Sequence, residues 1–182
     1  MTLLAPRSPK NPRKFLNWAV IVGSVVACLL LSPMRLPGTE LLGVRPNWLL
    51  IWVVAFSVQR TQLQGAIAGL ALGLILDGMT FSYPSHTVSL GIVGFLTARL
   101  YKQRFFREDL ISIAIVVFAM TLLAEAITAI QYSLHGLRNL GSLWETQQKA
   151  VLCCAILSSL WAPVAYYPLH RWWRHLRNVE QV

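Results

Sequence analysis

Two carboxylates stand inside long apolar runs: Asp77 near the end of one and Glu125 near the middle of another. An acid in hydrocarbon is costly and marks a functional site by default. Asp77 closes a stripe. Gly65, Gly69, Gly73 and Asp77 return every fourth residue, along one side of a helix with a drift of about 40° per step. Three roles fit Asp77: a polar contact at a helix end, a partner-binding residue, or an ion or substrate site. Glu125 shares a polar stripe with Thr121, Thr128 and Tyr132. It fits a protonated or hydrogen-bonded carboxyl joining helices, a partner contact or a ligand site. No basic residue falls at its depth in any apolar run, which argues against a buried ion pair.

Catalytic signals are missing. The chain has no HExxH, no GxSxG elbow, no CxxC pair and no Walker loop. His86, His135, His170 and His175 sit at run ends or in loops and read as solvated interface residues. No enzyme, cofactor or metal site is expected. Cys28, Cys153 and Cys154 lie within apolar runs and read as small apolar fillers. Val25-Val26-Ala27-Cys28 faintly resembles a lipoprotein cleavage site, but the run continues through Leu31, where a cleaved chain would turn polar.

The elements that carry these residues follow from composition. Of 182 residues, 55% are hydrophobic and 13% charged, and the mean hydropathy is +0.55. Soluble domains are about 25% charged. Long apolar runs without strand-like alternation predict an all-α integral membrane bundle, because a backbone in lipid must satisfy its own hydrogen bonds. Six spans are expected near 15–32, 45–60, 63–82, 84–102, 108–134 and 149–173, as a single domain between a disordered 1–14 tail and a 174–182 tail. The glycine-striped third span is expected to be the one the others pack around. Gly91, Gly94 and Ala98 give the fourth span its own small face, so these two spans should form a close hairpin. Residues 135–148 read as a polar loop.

Charge sets the orientation. With the N-terminus inside, inner segments hold Arg7, Lys10, Arg13, Lys14, Arg60, Arg99, Lys102, Arg104, Arg107, Arg171, Arg174 and Arg177, twelve of the 16 basic residues. Both ends are therefore expected in the cytoplasm. The net charge of +9 is a topology signal with some attraction to membrane lipid, not a nucleic-acid signature. Trp48, Trp172 and Trp173 read as interfacial anchors, with Arg99, Lys102 and Arg104 at the inner boundary.

The motifs carry a resemblance. Arg45-Pro46-Asn47-Trp48-Leu49-Leu50, the stripe from Gly65 to Asp77, and Leu90-Gly91-x2-Gly94-Phe95-Leu96 together resemble the MreD family of rod-shape-determining membrane proteins. Tyr83-Pro84-Ser85 departs from the family pattern, which has a glycine after this loop. The resemblance implies a non-catalytic component of the bacterial cell-elongation machinery in the inner membrane. Its implied partners are MreC directly, with MreB, RodA and an elongation-specific penicillin-binding transpeptidase as complex members. It also implies a fold similar to the substrate-binding subunits of energy-coupling-factor transporters. The competing reading is therefore a vitamin-type substrate-capture subunit. Its 32–45 loop is short and poor in polar and aromatic residues for that task.

Overall fold

The computed structural model describes the backbone of residues 12–32, 34, 43–80, 85–102, 109–134 and 140–180, and side chains within them except at 12–17, 140–147 and 173–180. Among the described residues six helices follow one another: α1 (Pro12–Leu31), α2 (Trp48–Ser57), α3 (Gln62–Thr80), α4 (His86–Lys102), α5 (Leu110–Leu134) and α6 (Leu140–Glu180). Among the described residues, three stretches, Gln62–Thr80, Leu110–Leu134 and Gln148–Trp172, are long and apolar enough to cross a membrane.

The centre of the molecule is α2, not the glycine-striped α3. Its ten residues span only about 15 Å. Among the described residues it touches every other helix. Leu49, Leu50, Ile51, Val53 and Val54 are essentially inaccessible, and Phe56 is the one member of α2 that is not buried. A helix that is apolar all round belongs inside, and this one has no polar face to turn outward. By contrast α3 is two-sided. Its glycines face inward, while Leu63, Ile67, Leu70, Leu74, Ile75 and Met79 are exposed. Among the described residues it packs only on α4 and α2.

Asn47 starts α2. Its Oδ1 accepts from the Leu50 N–H at 3.1 Å, the N-cap bond that satisfies an orphan donor of the first turn. Its own N–H donates to Ser158 Oγ on α6 at 3.0 Å. Beside α6, α5 also packs on α2 and buries Ile113, Val116, Val117 and Met120. The α6 helix begins at Leu140, inside the stretch that reads as a loop. Leu140, Leu143 and Trp144 recur at helical spacing there, and the intervening polar residues mask the pattern. Pro163 and Pro168 lie within α6 without ending it.

Candidate functional site

The stripe on α3 meets the small face of α4. A Cβ added at Gly65 would stand 2.6 Å from the Gly94 carbonyl oxygen and 2.9 Å from Ser57 Oγ. One at Gly94 would run into the Gly65 carbonyl, so the two residues are reciprocal neighbours. A Cβ at Gly69 would run into the Leu90 carbonyl, and one at Gly73 into the Thr87 backbone. Such close backbones place glycine Cα–H groups against facing carbonyls, weak hydrogen bonds that recur at helix interfaces. At Gly91 the obstacle is the end of the Leu70 side chain, 2.7 Å away, which can rotate aside. The stripe therefore has its partner within the chain.

Asp77 fastens the far end of this hairpin. Its Oδ1 accepts from the His86 N–H at 2.7 Å. Its Oδ2 accepts from Ser85 Oγ at 2.7 Å, Thr87 Oγ1 at 2.6 Å and the Thr87 N–H at 3.1 Å. The last turn of α3 thus caps the first turn of α4, where free N–H groups and the helix dipole favour an anion. Position 77 continues the register of Gly65, Gly69 and Gly73, so the stripe that brings the helices together also aims the carboxylate. The turn at 81–84 lies outside the described residues.

Glu125 is different. It is half-buried on α5 and makes no hydrogen bond among the described residues. The threonine hydroxyls of its stripe are used locally: Thr121 donates to the Val117 carbonyl at 2.8 Å and Thr128 to the Ala124 carbonyl at 3.0 Å. The stripe therefore does not join α5 to another helix through these groups. His86, at the start of α4, and Cys154 of α6 both stand within electrostatic range of Glu125. The expectation that no basic group shares its depth is corrected on this point. The α4–α5 packing brings these two helices together.

Other polar links between helices went unread in the sequence. Trp52 Nε1 donates to Ser24 Oγ at 2.8 Å and ties α2 to α1. Gln59 Nε2 and the Tyr166 hydroxyl each lie 2.8 Å from His170 Nδ1, joining the end of α2 to α6. His170 is thus not a purely solvated residue. Trp48, expected at the membrane interface, is buried, with its ring edge-on to Trp161 at 5.5 Å. Its place at the first turn of the central helix surrounds it with protein. Arg99 and Lys102 are exposed at the end of α4, and Arg104 lies outside the described residues. Trp172 is half-buried with its Nε1 unpartnered, while the side chain of Trp173 lies outside the described set. No group of three or more His, Cys, Asp or Glu side chains that could hold a metal ion occurs among the described residues.

No curated protein and no solved structure matches the chain. The family model described as rod shape-determining protein MreD matches residues 12–169, from the first residue of α1 to the inner part of α6. That match spans the whole helical core, including the glycine seam, Asp77 and Glu125, and the chain belongs to the MreD family of rod shape-determining proteins.

Proposed function

We propose that the chain is a non-catalytic membrane scaffold of the bacterial rod complex. In this reading it helps couple the MreB cytoskeleton and MreC to peptidoglycan synthesis by RodA and the elongation-specific transpeptidase. It lies in the inner membrane with six spans and both ends in the cytoplasm, the orientation favoured by twelve of the 16 basic residues. The observation that carries the reading is the family match over residues 12–169. The internal chemistry agrees with it. The glycine stripe and Asp77 are committed to the α3–α4 hairpin, which leaves Glu125 as the striped carboxylate available to a partner. MreC is the direct partner in this reading, through transmembrane helices.

The test is recovery of the full chain in mild detergent and identification of its companions. MreC and the elongation enzymes are expected. A transporter ATPase pair and a retained vitamin would instead support substrate capture.

A further inference from the structure

The last helix outruns its neighbours. With 41 residues α6 is about 61 Å long, twice the ~30 Å of membrane hydrocarbon. Its membrane-crossing stretch is Gln148–Trp172, and the helix continues to Glu180. Among the described residues it packs on α5 and α2 alone. Both run out before it does. The α5 helix has 25 residues and is joined to α6 at the far end, between Leu134 and Leu140. The α2 helix lies alongside in a fixed register, since the links Asn47–Ser158 and Gln59–His170 both join residues 111 apart. That register stops where α2 stops, so neither neighbour accompanies residues 173–180.

This unaccompanied end has two sides. At 100° per residue, Trp172, Trp173, Leu176 and Val179 fall within an arc of about 120°. Arg171, Arg174, Arg177 and Asn178 fall within an arc of similar width on the opposite side, with His175 at the margin. The one acid, Glu180, is the last helical residue. The apolar arc continues the stripe of Ala162, Ala165 and Leu169 that packs on the core. The stripe that faces the neighbouring helices therefore goes on past the point where they end.

Something apolar must cover it. A second helix is a poor match, because the end past Trp172 makes only about one heptad, and helix pairing in water takes about three or more. The membrane is a good one. Tryptophan and leucine on one side with arginine on the other is the pattern of helices that lie in the headgroup layer, and this one starts where the span stops. Arginine suits lipid phosphate by its fork of donors. Pro168, in the turn before Trp172, lacks the N–H of a helical bond and is a place where helices bend.

We propose that the end of α6, residues 171–180, lies in the headgroup layer as an amphipathic helix. Its Trp172, Trp173, Leu176 and Val179 side rests on the acyl boundary, and Arg171, Arg174 and Arg177 hold phosphates of anionic phospholipid. This rests on α6 crossing the membrane and not on the scaffold role.

The test is spin labelling of the full chain in vesicles, with Cys28, Cys153 and Cys154 replaced by alanine. Labels go at Leu176→Cys or Asn178→Cys, and relaxation by oxygen is compared with relaxation by a water-soluble nickel chelate. In phosphatidylcholine mixed with phosphatidylglycerol, the label at 176 should meet oxygen and be shielded from nickel, and the label at 178 should show the reverse. Arg174→Gln should lower the ratio of surface-bound to free helix about fivefold, the effect of one basic residue near an anionic membrane. Arg174→Lys should keep it, and so should Arg99→Gln at the end of α4. Equal nickel access at 176 and 178 would place the end upright in water and overturn the proposal. So would spin–spin broadening between labels at 176, which assigns the stripe to a second copy. Shielding of 176 only when a companion protein is present would also overturn it, in favour of a protein partner.

Discussion

At the residue scale, the five glycines of the α3–α4 seam are not equivalent. Gly69 and Gly73 face backbone, which cannot move aside, whereas Gly91 faces the end of a leucine side chain. Gly69→Ala and Gly73→Ala should each destabilise the protein by about 1–3 kcal/mol, the range for overpacking. Gly91→Ala should fall below that range. At Gly78 nothing lies within 4 Å of an added Cβ, so Gly78→Ala should be neutral or stabilising by up to about 1 kcal/mol. Thermal unfolding in detergent orders the four variants, and equal losses at all of them would mean that backbone contact is not what the glycines provide. Glu125 carries the opposite expectation. It makes no hydrogen bond among the described residues, so Glu125→Gln and Glu125→Leu should unfold close to wild type. Its value should appear in the complex instead, with MreC recovery kept by glutamine and lowered by leucine. A large loss of stability in the leucine variant would show that Glu125 holds the bundle together.

At the element scale, α2 is short and almost wholly buried. It is a core segment inside five other helices. Trp48 anchors its first turn against Trp161, so Trp48→Ala should cost about 3–5 kcal/mol, as for large aromatic truncations in a core. Denaturation in detergent measures this, and a loss below about 1 kcal/mol would return Trp48 to the interfacial role read from the sequence. The six helices were legible because apolar runs are separated by Pro, Gly and clustered charge. Which helix sits at the centre was not legible as read. The glycine stripe suggests a centre because it invites close approach. Glycines on one face instead produce a pair, whereas a segment with no polar face must be surrounded. The start of α6 was hidden for a related reason, since polar residues between Leu140 and Gln148 obscure helical spacing. Asp77 was visible as a carboxylate in register with the stripe. Its donors were not, because they lie across a turn and belong to the next helix.

At the scale of the whole molecule, α3 to α6 each pack on at least one helix besides α2, whereas α1 packs on α2 alone among the described residues. The α3–α4 seam and the α5–α6 pair form the body around α2, while α1 is attached to α2 through Ser24, Trp52 and apolar contacts from Ile21, Val25 and Leu29. A body fixed by backbone contact, with a carboxylate left over on α5, agrees with the scaffold role proposed above. The most direct measurement of that role is complementation. The chain is expressed in rod-shaped cells depleted of their own MreD, and cell width is scored by microscopy alongside MreC recovery. The expected result is rod shape restored by the wild type and by Glu125→Gln, with Gly69→Ala impaired through loss of folded protein. Full-level, folded wild-type chain in the membrane of cells that still round up and swell would contradict the scaffold role.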